Sequence, residues 1–171
     1  MAELVYDETG RLHFTKEMKD EYTLIMPQML PVTFTMMKRV FETLGYKIDM
    51  LMPENRREIG DTGLKYVHND TCYPALLVIG QLIDAVNSGR YDKHKVALLI
   101  TQTGGGCRAS NYIHLLRKAL QKAGLEYLPV LSVNLSGLEK NPGFQPGIGT
   151  VIKLAIAMVY GDLLVWLDNQ C

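Results

Sequence analysis

The sequence predicts an α/β domain, a Rossmann-like or flavodoxin-like doubly wound fold with a mostly parallel sheet, and three observations carry that prediction. From about residue 22 onward, short apolar runs of strand length alternate with longer patterns of helical period. Helices between successive strands make right-handed crossovers, which set the strands parallel and cover the sheet on both faces. A chain of 171 residues with 47% apolar and 21% charged residues has the size and composition of one globular domain. Residues 1–171 are therefore read as a single lobe, with 1–20 as an N-terminal extension and 165–171 as a tail.

Tyr22 to Met26 is a short apolar run closed by Pro27, the first strand. Pro31 opens a helix with Met37, Val40, Phe41 and Leu44 on one face and Gly45 as its stop. Lys47 to Met52 reads as the next strand. Pro53 to Gly63, polar and broken by two glycines, reads as a surface loop before a short strand at Lys65 to Val67. Asp70, Thr71 and Pro74 supply a helix start, since polar side chains cap the first N–H groups and proline lacks one. The helix they open, Ala75 to Asn87, is apolar nearly all round and is expected to be central. Val96 to Ile100 is a strand of the fully buried type. Beyond it a helix carries Tyr112, Leu116, Ala119 and Ala123 at helical spacing and stops at Gly124. Tyr127 to Val133 is the last strand, Leu135 to Gly149 a loop, and the apolar stretch Ile148 to Leu167 the last helix.

Lysine plus arginine and aspartate plus glutamate both number 18, so the chain lacks the positive charge with which nucleic-acid binders release counterions. No nucleic-acid partner is expected. Three cysteines in a chain of this size make no disulfide scaffold and suit a reducing compartment, so the expected location is cytoplasmic. The acidic N-terminus does not resemble an export signal. Lys153, Gly161 and Asp162 interrupt the apolar C-terminal stretch, which reads as a buried or interface helix and not as a membrane span.

In a doubly wound sheet, ligands bind beyond the carboxyl ends of the strands, where loops lead into helix N-termini. Cys72 and Cys107 both fall at such strand-to-helix junctions, so both thiols should face one edge, each beside a helix start that favours thiolate. Convergent thiolates suit a soft metal or cluster. The structural alternative is two buried thiols, since free cysteine is among the most buried residue types. Gly104, Gly105 and Gly106 remove every β-carbon from the second junction, and with Arg108 beside them their N–H groups can cradle an anion. A tight turn needing positive φ would explain the same glycines. Gly104-x-Gly106-x-x-Ala109 meets the loose dinucleotide fingerprint, but Glu126 precedes its strand where that motif needs an acid after it. His13, His68, His94 and His114 form no metal-ligand spacing, although His68 lies four residues from Cys72.

The segments HNDTCYPALLVIGQLIDAV and LLITQTGGGCRASNYIHLLRKAL, with MPQMLP before them and Gly161-Asp162-Leu163-Leu164 after, resemble the 2-hydroxyacyl-CoA dehydratase superfamily. The resemblance is in particular to its large bacterial members described as CoA-substrate-specific enzyme activases or dehydratase-component-related proteins, and covers most of residues 20–164. The resemblance implies a 4Fe-4S cluster held by cysteine thiolates at an interface between Rossmann-like lobes, passing single electrons to the thioester of an acyl-CoA. Cys72 and Cys107 match the family's cysteine junctions and are carried over as ligands, with Asn69, Thr103, Arg108 and Asn111 as donors to the cluster sulfurs. Cys171 lies in a tail unlike the family and is not carried over. The chain resembles one lobe of a larger assembly, and a second copy or another lobe would complete the ligand set. The alternative is a lobe without a cluster, whose glycine nest takes an anion. A homodimer through the last helix is also expected, because its apolar residues cover more than one face.

Overall fold

The computed structural model describes residues 3–8, 10–52, 55–102, 111–133 and 141–170, Arg56 by its backbone alone. Four strands, β1 (Thr23–Met26), β2 (Lys47–Met50), β3 (Val96–Thr101) and β4 (Val130–Val133), pair in the order β2-β1-β3-β4, all parallel. The described helices are α1 (Lys16–Glu21), α2 (Pro31–Glu42), α3 (Arg56–Tyr66), α4 (Tyr73–Asn87), α5 (Tyr112–Lys122) and α6 (Ile148–Asp168). This is the doubly wound α/β arrangement that the alternation of periods predicts.

Successive strand residues enter opposite layers. Ile25, Val96, Leu98, Ile100 and Val130 join the apolar faces of α4 and α5. Leu24, Met26, Ile48, Ala97, Leu99 and Leu131 join Phe34, Met37 and Phe41 of α2 and Leu154 of α6. A strand buried on both faces has no polar alternate, which is why the runs are continuously apolar. The first twenty residues, expected as an extension, add Leu12, Phe14 and Met18 to the second layer. Gly45 (φ 82°) and Gly124 (φ 68°) follow α2 and α5 in the left-handed conformation that ends a helix, as the sequence suggests.

Three expectations are corrected. Most of the segment read as a loop and a strand, Pro53 to Val67, is α3, closed by a C-cap at Val67 whose N–H bonds the Gly63 carbonyl. One glycine from each helix makes the contact between α3 and α4: a β-carbon on Gly63 of α3 would stand 2.3 Å from the Leu76 carbonyl oxygen, and one on Gly80 of α4 would stand 2.1 Å from that of Ile59. The α3 and α4 backbones thus meet directly. The N-cap of α4 is Cys72, one residue beyond the expected Asp70–Thr71 start. The last strand begins at Val130, because Leu125 to Leu128 closes a turn with Leu128 N–H on the Leu125 carbonyl.

At the β2 edge, Tyr91 donates its hydroxyl to Asp49 Oδ2 at 2.6 Å. Burial and that carboxylate push the phenol up to about 12. The folded chain therefore holds this proton more tightly than the unfolded chain, whose tyrosines titrate near ~10. The bond's contribution is complete below pH ~10 and is lost as pH rises toward the folded value. Urea unfolding across that window is expected to show stability falling with pH, with a shallower fall in Tyr91→Phe.

Candidate functional site at the carboxyl edge

The order β2-β1-β3-β4 places the switch in winding direction between β1 and β3, so the crevice of the fold lies between the loops leaving those strands. The loop after β1 is held from beneath. Gln81, in α4 and only 8% exposed, accepts the Gln28 N–H on Oε1 at 3.1 Å and donates Nε2 to the Gln28 carbonyl at 3.5 Å. A buried amide that reads both backbone groups of one residue fixes that loop's height above the sheet. Sequence reasoning missed Gln81. Its signal is a lone polar side chain in the otherwise apolar run from Ala75 to Ile83, broken elsewhere only by Gly80.

The loop after β3 begins at Gln102, whose N–H bonds the Val133 carbonyl, and reaches α5 at Asn111 and Tyr112. Thr103, Gly104, Gly105, Gly106, Cys107 and Arg108 lie outside the described residues, as does Cys171. The helix that this loop enters is joined to the first cysteine junction: Cys72 Sγ lies 3.4 Å from Tyr112 Oη. Cys72 is half-buried and packs against the layer formed by α4 and α5. Asn69 and Asn111 are exposed on the approaches to α4 and α5. His68 accepts the Asp70 N–H on Nδ1 at 3.3 Å, a contact within its own turn.

Helix starts crowd this edge. Asn55 Oδ1 accepts the N–H groups of Arg57 at 3.1 Å and Glu58 at 3.5 Å, so α3 is capped by its own side chain. The N-caps of α2, α4 and α5, which are Leu30, Cys72 and Asn111, make no side-chain cap bond among the described residues. The partial positive charge of helix starts left uncapped by side chains favours anions and thiolates. A cleft of about 420 Å³ opens beside the edge, lined by Met52, Asn55, Glu58, Gln81, Arg90 and Tyr91 among others. Cys72 does not line it, so thiol and cleft are separate features.

No family model, curated protein or solved structure matches the chain. Among the described residues no three histidine, cysteine, aspartate or glutamate side chains converge as a metal site. Cys72 itself fits one ligand position, a partly accessible thiol at a helix start. A metal or cluster at Cys72 would need further ligands from outside the described residues or from another chain.

Proposed function

We propose that the chain is a cluster-binding lobe of 2-hydroxyacyl-CoA dehydratase or activase type, in which Cys72 and Cys107 hold part of a 4Fe-4S cluster completed by a second copy or a further lobe. The observation that supports this reading is the contact between Cys72 and Tyr112, which ties the first cysteine junction to the foot of the loop that carries Cys107 and the glycine run. A cluster there would supply one-electron reduction of an acyl-CoA thioester in a reducing, cytoplasmic setting. The chain's own residues would fix its position: Cys72 from the start of α4, Asn69 and Asn111 from the flanking turns, and Thr103 and Arg108 from the loop after β3.

A second reading is favoured by the three helix starts that lack side-chain caps at this edge. In it Gly104, Gly105, Gly106 and Arg108 take an anion and the cysteines are spectators.

One experiment separates the two. Purified anaerobically and reconstituted with iron and sulfide, the wild-type chain is expected to retain both in equal amounts. Cys72→Ser and Cys107→Ser should each lose most of that iron while keeping the wild-type circular dichroism. A folded wild-type chain that retains no iron overturns the cluster reading. If that iron-free chain is stabilised by phosphate, and Arg108→Ala abolishes the stabilisation, the anion reading stands in its place.

A further inference from the structure

Helix α6 carries two apolar seams, of which the domain uses one. Thr150, Leu154, Ala157 and Gly161, spaced four, three and four residues apart, are its buried positions and face α2. The fit is close at Gly161, where a β-carbon would stand 2.7 Å from Thr33 Oγ1, and the Thr33 hydroxyl donates to Asp162 Oδ1 at 3.3 Å. Displaced two positions along the helix, about 200° around it, runs a second seam. It consists of Ile152 (55% exposed), Ile156 (61%), Val159 (71%), Leu163 (45%) and Trp166 (59%). Their spacing of four, three, four and three is the 3.5-residue repeat of a helix that packs knobs into holes against another helix. Nothing in the described domain covers it. Of the two expectations for this stretch, a buried or an interface helix, burial fails for this face.

The direction of α6 matters too. Phe144, just before α6, packs on Phe41 near the end of α2, whereas Gly161 stands against Thr33 near its start. The two helices are antiparallel, and α6 climbs toward the carboxyl edge. Beyond Gly161 no residue of α6 is buried, so its last two turns rise roughly 10 Å past that contact.

We infer that the outer seam of α6 is a dimer interface whose occupant is the same seam of a second copy of this chain. The repeat demands a helix, and the second copy supplies one of matching length and spacing. With its flanking Ile148 and Leu167, both exposed, the strip would, if wholly covered, approach the ~800 Å² that each partner buries in a stable complex. Because the used and unused seams point in opposite directions, the two domains stand clear of each other across the helix pair. Among the described residues α6 is the helix long and apolar enough to cross a membrane. A spanning role would require breaking the Gly161 nest and the Thr33–Asp162 bond, and would place Lys153 in lipid. This inference is independent of the cluster: it concerns the full chain with or without iron.

Sedimentation of the full chain at tens of micromolar, free of detergent, is expected to show a dimer. Ile156→Asp and Val159→Asp, both at exposed positions, should raise the dimer dissociation constant roughly 30-fold or more while leaving circular dichroism and the thermal midpoint of the dilute protein unchanged. Vesicles of phosphatidylcholine and phosphatidylglycerol form the second arm, with no cosedimentation expected. A wild-type chain that stays monomeric, a dimer indifferent to both variants, or a monomer captured by vesicles would each overturn the inference.

Discussion

Replacing Gly80 by valine is expected to cost the domain ~3 kcal/mol and lower its thermal midpoint by roughly 6–12 °C. The new β-carbon would stand 2.1 Å from the Ile59 carbonyl oxygen and 3.1 Å from the Gly63 nitrogen, both backbone atoms of α3. No side-chain rotation relieves a clash with a backbone, so the two helices must part along their whole contact. The position of Gly63 against the Leu76 carbonyl means that the same contact resists from the other side. An internal control is close by. A β-carbon on Gly60, in the same helix α3, meets only Leu77 Cδ2 at 4.0 Å. Gly60→Ala should therefore gain roughly 0.5–1 kcal/mol from helix propensity. Urea unfolding of the two variants checks both signs; equal effects would show that glycine content, and not the helix contact, sets stability here.

Phe41→Ala carries the other large expected loss, ~4 kcal/mol, in line with other phenylalanine truncations in cores. Phe41 is fully buried and makes aromatic contacts with Tyr46 and Phe144, at centroid distances of 6.4 and 5.7 Å. Tyr46 also donates its hydroxyl to the Gly143 carbonyl at 2.9 Å. Truncating Phe41 therefore opens a cavity under the segment that leads into α6, as well as under α2. Against a typical stability of ~5–15 kcal/mol, such a loss removes a large share of the margin. Phe41→Leu, which keeps most of the volume, should recover more than half of it. A Phe41→Ala variant within 1 kcal/mol of wild type, a threshold of about the usual mutational effect, would contradict this account of the core.

The strands were legible because burial on both faces leaves continuous apolar runs, and Val96 to Ile100 is of that kind. Helix α3 was not. Its sequence, RREIGDTGLKY, is polar and contains two glycines, the signature of a surface turn. In the structure one of those glycines supplies the contact that apolar side chains usually make, by letting two backbones touch. A sequence signal for the helix does exist: Asn55 followed three residues later by Glu58 is a capping pattern, and Asn55 caps α3. Helices α4 and α6 show a different limit. Both are apolar nearly all round, yet α4 lies among α3, α5 and the sheet while α6, among the described residues, packs mainly on α2. Composition records how apolar a helix is, not how many neighbours it has.

At the candidate site, the strand-to-helix spacing read for Cys72 does not hold, because α3 and not a strand precedes it; the thiol reaches the carboxyl edge as the N-cap of α4, beside Tyr112. Nor could spacing reveal Tyr112 as the neighbour of that thiol or Gln81 as the support of the β1 loop. Both contacts join residues far apart in sequence, Tyr112 to Cys72 and Gln81 to Gln28, and each depends on how helices are rotated about their axes.

The sheet order also fixes the sequence of events when the chain is made. Strand β1 pairs with β2, nearby in sequence, through Thr23 and Lys47, and on its other side with β3 through Thr23 and Val96. During synthesis from the N-terminus the β1–α2–β2 unit is complete long before β3 emerges. At ~5–20 residues per second the interval is several seconds. Throughout it, the inner edge of β1 presents unpaired N–H and C=O groups and Ile25 lacks the α4–α5 layer that will cover it. An open apolar edge is a template for pairing with another chain. The newborn half-domain is thus the stage at which this protein is most exposed to misassembly, and crowded nascent chains or slow elongation between residues 50 and 96 would lengthen that exposure.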